Sequence, residues 1–277
     1  MPIIRIEDGK DPRLADYAGA REPALLTSRG LLMAEGRFVV RRLLPSTRIR
    51  WKSLLLNDAA LNGLTDALER AGAALDVYVA SQDVITAATG FNLHHGCLAV
   101  ATRPDDPSFD AVLAASRCAV VCERVVDADN MGSVFRAAEA FDVDAVLLSP
   151  GCCDPFYRKA IRTSSGAALV VPSAMAAPWP DALDRLRAGG FVVAAMTPDR
   201  QAMDIAEFVA GAGARGKVAV LLGTEGHGLT DDALAHADVR IRIPMSASGT
   251  LDSLNVATAA GIALHRLHEV RQAFANR

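Results

Sequence analysis

Six short, almost wholly apolar runs recur through the second part of this chain: Ala119–Val126, Ala145–Leu148, Ala168–Val171, Phe191–Met196, Val218–Leu222 and Val239–Ile243. Apolar runs of about four to eight residues without alternation suit strands covered on both faces, the condition of a parallel sheet. Helical patterns fall between and after them, at Gly132–Phe141, Phe156–Thr163, Asp181–Ala188, Ile205–Ala210, Asp231–Ala235 and Asn255–Phe274. Such an order confines the chain to the α/β class, with helices covering a mostly parallel sheet.

The first part alternates too. Strand patterns at Leu31–Ala34, Ile49–Leu56, Leu75–Val79 and Cys97–Ala101 enclose helical ones at Phe38–Leu44, Ala59–Ala71 and Gln82–Thr89. They predict a smaller α/β unit. Residues 1 to about 20 are polar and weakly patterned, and read as a loose arm. Pro104-Asp-Asp-Pro107 breaks the alternation and marks a linker. Two domains are therefore expected, 1–104 and 105–277.

The 277 residues suffice for two modest domains. No apolar run reaches the ~20 residues of a membrane helix. The N-terminus lacks the basic start and apolar core of a secretion signal, so a cytoplasmic location is expected. Five cysteines, an odd number without a C-x-x-C pair, predict neither a disulfide framework nor a metal site. The net charge of −3 argues mildly against a general polyanion binder. Its distribution argues otherwise. Between Arg29 and Lys52 stand seven basic residues (Arg29, Arg37, Arg41, Arg42, Arg48, Arg50 and Lys52) against one acid, Glu35. This is either a solvated face or a patch that neutralises several phosphates; the local excess favours an RNA contact.

Three segments share one design, in which a strand runs into a polar turn and then a helix. They are Asp127-Ala-Asp-Asn130-Met-Gly132-Ser-Val-Phe-Arg136, Gly223-Thr-Glu225-Gly226-His-Gly228-Leu229, and Ile243-Pro-Met245-Ser-Ala-Ser-Gly-Thr-Leu-Asp-Ser253-Leu254-Asn255-Val256. Loops leaving the carboxyl ends of parallel strands converge on the ligand site of an open sheet. Helix N-termini there offer unpaired amides. Taken singly, Ser253 and Asn255 are equally ordinary capping residues.

As a set and in this order, these segments resemble the motifs of the SpoU (TrmH-like) branch of the SPOUT methyltransferases, over Ala119 to Leu267. The resemblance implies transfer of a methyl group from S-adenosylmethionine to a ribose 2′-hydroxyl of RNA, ribosomal or transfer. It implies a trefoil knot in the C-terminal domain and a homodimer. Leu31-Leu-Met-Ala-Glu35-Gly36 and Thr89-Gly90-Phe91-Asn-Leu-His-His-Gly96 resemble, more loosely, the substrate-binding domain of the family, which has the fold of ribosomal proteins that bind kinked RNA. By position, Gly223, Ile243, Met245 and Leu254 match the donor-binding residues. Asn130, Arg136, Glu225, Ser253 and Asn255 match the catalytic set. A guanidinium keeps its proton in proteins, so Arg136 is expected to clamp ribose and phosphate and to stabilise developing charge. No metal is required, because the donor carries the activated group.

Two places depart from the family pattern. Ala128 and Asp129 replace the usual Pro-Gly before the asparagine, and the loop at Ser246–Thr250 is longer. The basic trio Arg158, Lys159 and Arg162 reads equally as an RNA contact or a solvated helix face. Gly211-Ala-Gly213-Ala-Arg-Gly216 has the letters of a dinucleotide fingerprint. It follows a helix and precedes a strand, the reverse of what that fingerprint needs, so it reads as a connector. Two other functions remain open: methylation of an RNA base by a SPOUT relative, and RNA or ribosome-precursor binding without catalysis.

Overall fold

The structure, a computed structural model, describes residues 2–18, 20, 23–71, 75–93, 95–211, 216–224, 226–246 and 251–275. The chain divides into two compact units. One comprises Met1–Asp105 with Pro155–Leu169, the other Asp106–Asp154 with Val170–Arg277.

The first unit is built on a mixed sheet of β1 (Ile3–Ile6), β2 (Leu31–Glu35), β3 (Trp51–Leu56), β4 (Asp76–Ala80) and β5 (Cys97–Thr102), in the order β1-β4-β3-β5-β2. Strands β1, β3 and β4 run parallel, and β5 is antiparallel to β2 and β3. The expected loose arm is not loose. Ile3–Ile6 extends the sheet in register with Val77–Ala80. Leu14 and Tyr17 are buried, and the Tyr17 hydroxyl shares a 2.8 Å hydrogen bond with Ser53 Oγ. Four residues carry too little periodicity to announce a strand; their partner lies over seventy positions away.

The second unit holds seven strands: β6 (Cys118–Cys122), β7 (Ala145–Leu148), β8 (Ser173–Met175), β9 (Phe191–Met196), β10 (Met203–Asp204), β11 (Lys217–Leu222) and β12 (Val239–Arg242). Their order is β10-β12-β9-β11-β6-β7-β8, and every neighbouring pair is parallel. Every residue of β6 and β7 is buried, as the unbroken apolar runs require of strands covered on both faces. Small side chains recur in the core (Ala119, Ala145, Ala194, Ala195, Ala219), so helices can pack close to the sheet.

Four local readings change. Ala168–Val171 is not a strand; Ala167–Leu169 is a 3-10 turn, and the strand starts after Pro172. An apolar run of that length fits a buried turn as well as a strand. The helix expected from Gly132 spans Ala128–Ala140, because the Asp127 carboxylate accepts from the amides of Asp129 and Asn130 and starts it earlier. A helix at Phe109–Ala115, capped by Ser108, and the two-residue strand β10 were not expected. The 211–216 connector lies between the helix Ile205–Ala210 and β11; its residues 212–215 lie outside the described residues.

Candidate active site

The carboxyl ends of β9, β11 and β12 open onto a cavity of about 560 Å³. In a parallel sheet this is where ligands bind, since loops and helix N-termini gather there. Gly223, Ile243, Met245, Ser253, Leu254 and Asn255 all line it. Glu225, expected in the same wall, lies outside the described residues.

The floor is a tight turn after β11. Thr224 and Gly228 exchange backbone hydrogen bonds of 3.2 and 3.0 Å. Closing the chain this sharply needs Gly228 at φ +67. It also needs an absent side chain at Gly223, where a Cβ would fall 2.3 Å from the Gly228 carbonyl carbon and 2.4 Å from the Leu229 amide. Both obstacles are backbone, so they cannot swing aside. Gly223→Ala is expected to force the turn open, at about 1–3 kcal/mol of stability, and to lower affinity for a ligand in the cavity at least ~10-fold. Urea unfolding and calorimetry measure the two effects; unchanged ligand affinity would show that the turn does not shape the site.

The rim is held by a pair of asparagines. Asn255 Nδ2 donates to Asn130 Oδ1 at 2.9 Å. Asn255 Oδ1 accepts from the amides of Ala257 and Thr258 at 3.0 and 3.2 Å, capping the helix Val256–Ala275. The capping role therefore belongs to Asn255. Ser253 leaves its hydroxyl in the cavity wall, donating to Asp252 Oδ1 at 3.3 Å. Asn130 is 9 % exposed and sits in the first turn of the helix Ala128–Ala140, not in the loop before it. Asp127 sets that turn, and sequence reasoning passed over it. Its signal was present: an acid directly before a helical run.

Arg136 lies further along the same helix. It does not line the cavity; it is exposed and forms no ion pair among the described residues. Nor do the thiols near the site offer a nucleophile. Burial pushes the Cys122 thiol well above the ordinary range, and burial raises Cys152 too, whose thiol donates to the Cys122 carbonyl at 3.2 Å. Both are neutral. Among the described residues no group of three His, Cys, Asp or Glu side chains is placed to hold a metal ion, and no helix is long and apolar enough to cross a membrane.

The seven basic residues of the first unit, Arg29 to Lys52, are all exposed. They do not form the unbroken positive field that their spacing suggests. Asp16 accepts from Arg29 at 2.5 Å and from Lys52 at 2.7 Å, and Asp66 holds Arg41 at 2.8 Å. Arg42 donates to the Ser165 carbonyl at 2.8 Å. These acids lie outside the stretch in sequence and join it only by folding. Arg158 and Arg162 both pair with the buried Glu35, and Arg158 stacks over Phe91 at 4.4 Å. Both neutralise an internal carboxylate, which would be costly alone; Arg158 is 13 % exposed, whereas Arg162 keeps 43 % of its side-chain surface in solvent.

Residues 117–265 match the model of the SpoU rRNA Methylase family. The chain is 46 % identical over 269 residues to an uncharacterized tRNA/rRNA methyltransferase of Mycobacterium bovis, covering 96 % of this chain and 91 % of the relative. It is 27 % identical to the 23S rRNA (guanosine(2553)-2′-O)-methyltransferase RlmP of Bacillus subtilis, covering 95 % and 98 %. Among solved structures it is similar to an RNA 2′-O ribose methyltransferase, with a TM-score of 0.78, 25 % identity, and coverage of 97 % and 100 %.

Proposed function

Because the chain belongs to the SpoU rRNA methylase family, we propose that it transfers a methyl group from S-adenosylmethionine to a ribose 2′-hydroxyl of structured RNA, ribosomal or transfer. The observation that carries this reading is the meeting of three separate strand–turn–helix segments at one place. Two of them line the cavity, and the third is tied to its rim through Asn130 and Asn255.

The cavity fits a nucleoside donor. Its volume lies in the usual range for small-molecule sites. Its walls mix apolar side chains (Leu222, Ile243, Leu254) with backbone at Gly223 and Gly228, where no side chain obstructs approach. Gly223, Ile243, Met245 and Leu254 would hold the donor. Bound there, the donor supplies an activated methyl group. Ser253 presents a hydroxyl to the ribose. Arg136, exposed and unpaired among the described residues, is available to hold ribose and phosphate oxygens and to stabilise charge on the 2′-oxygen as its proton leaves to water or phosphate.

Incubating the full chain with labelled donor and RNA, then digesting and weighing the nucleosides, tests the reaction. A 2′-O-methylated nucleoside is expected; a base-methylated one would move the activity to the base. Donor uptake followed by calorimetry is expected to be unchanged by a chelator, because nothing in the transfer calls for a metal. Loss of uptake on chelation would overturn that.

The exposed basic residues Arg29, Arg37, Arg41, Arg42, Arg48, Arg50 and Lys52 are proposed to contact RNA phosphates. Charge reversal at Arg41 and Arg42 should weaken RNA binding at low salt, flatten its salt dependence by about one to two units of slope, and leave donor affinity alone. Equal RNA affinity before and after would reduce the patch to a solvated face. The trefoil knot and the homodimer implied by the family belong to the same reading. Sedimentation equilibrium reads the assembly state.

A further inference from the structure

Glu123, at the carboxyl end of β6, is 1 % exposed and matches none of the site residues assigned above. Its two oxygens receive three hydrogen bonds. Oε1 accepts from Trp179 Nε1 at 2.9 Å and from the Thr230 hydroxyl at 2.7 Å, and Oε2 accepts from the Thr230 amide at 2.9 Å. All the partners are donors, so the site calls for a group that only accepts. A carboxylate meets that demand, and an amide does not.

Thr230 is where the turn after β11 ends. Its hydroxyl also caps the helix Asp231–Ala235 through the Ala233 amide at 3.2 Å. The turn is held at its start by β11, whose Leu222 carbonyl accepts from the Glu123 amide at 2.8 Å. Both ends of Gly223–Leu229 are thus fastened to one residue, by its backbone at one end and its carboxylate at the other. Between them lies the stretch that lines the cavity with Gly223, Gly228 and Leu229.

We propose that Glu123 is a positioning residue for the methyl donor: its carboxylate locks Thr230, and thereby sets the shape of the donor-binding turn. The inference rests on the reading of this cavity as the donor site. Glu123 itself does not line the cavity. Its effect passes through Thr230 and should appear as donor affinity, not as chemistry. Trp179 supplies the internal contrast. It bonds the same carboxylate but belongs to the segment between β8 and the helix Ala182–Ala188, and is no part of the turn.

The experiment measures donor dissociation constants by calorimetry, with melting temperatures alongside, on the full-length chain. In Glu123→Gln one of the two oxygens becomes an NH2 that faces the N–H of either the Thr230 backbone or Trp179, and the constant is expected to rise about tenfold or more. KM for the donor should rise with it, while kcat at saturating donor stays within about threefold. Thr230→Val should weaken donor binding similarly, and Thr230→Ser, which keeps the hydroxyl, should restore it to within about twofold. Trp179→Phe should lower the melting temperature and leave the donor constant within about twofold. Should Glu123→Gln fail to fold, the Thr230 pair decides alone. If the wild-type chain binds no donor, the reading of the cavity falls, and this inference with it. If the wild type binds and Glu123→Gln or Thr230→Val binds equally well, the cavity stands and the positioning role is overturned. A purely structural Glu123 would lower stability in all these variants without moving the donor constant.

Discussion

Replacing Arg136 by lysine is expected to remove most turnover, by at least about a hundredfold, while leaving donor and RNA binding close to normal. A hundredfold corresponds to about 2.7 kcal/mol of transition-state stabilisation. The expectation rests on shape, since lysine keeps the positive charge. A guanidinium is a planar fork that can hold a ribose and a phosphate oxygen together; an ammonium is a single hydrated point. Arg136 stands exposed beyond the Asn130 turn, with no ion pair among the described residues to occupy it. On the proposed reading, ground-state binding is spread over the cavity and the basic patch, so loss of one fork should matter little there. Charge developing on the 2′-oxygen has no such substitute. Single-turnover methyl transfer at saturating donor and RNA isolates the step. A near-normal rate for Arg136→Lys would leave the residue as a surface arginine.

The second large effect is expected at Asn255, whose side chain acts at both ends. Its carbonyl oxygen caps the helix Val256–Ala275, and its amide nitrogen ties that helix to Asn130. Two substitutions separate the roles. Asn255→Ser keeps a capping oxygen and loses the tie. Asn255→Ala loses both, and the missing cap adds about 1 kcal/mol. In either case the Asn130 oxygen, in a residue only 9 % exposed, loses the bond from Asn255. Loss of one such hydrogen bond costs about 0.5–1.5 kcal/mol. Donor affinity should fall alike in both variants, by about tenfold or more, because Ser253 and Leu254 sit in the wall just before the freed residue. Urea unfolding should rank Asn255→Ala below Asn255→Ser. If Asn255→Ser binds donor like the wild type, the asparagine pair does not hold the rim.

The fold class was legible because it rests on local pattern. Unbroken apolar runs can only be strands covered on both faces or buried helices, and their lengths and turn residues separate the two. Periodicity could not assign Ala168–Val171, which is apolar but a turn, or Ile3–Ile6, whose alternation is too short to stand out. The cavity-lining motif residues were legible for another reason. Turn glycines and a Ser-Leu-Asn before a long helix mark a strand–turn–helix design, and the resemblance to the SpoU motifs singled out the residues within it. The basic stretch shows the limit. Its charge is a sum over neighbours in sequence, but a phosphate meets a sum over neighbours in space, and Asp16 and Asp66 enter only the second.

The sequence alone determined most of the strands and helices, which polar residues stand at the strand ends, and that the sheet of the second unit is mostly parallel. Each of these follows from interactions within a few residues or from the period of the pattern. Only the tertiary structure decided which polar groups pair across distance. Asn255 meets Asn130 from 125 positions away, and Glu123 meets Thr230 from 107. Such pairings leave no period in the chain, because a buried donor and acceptor need only complementarity and proximity, and proximity is a property of the packed fold.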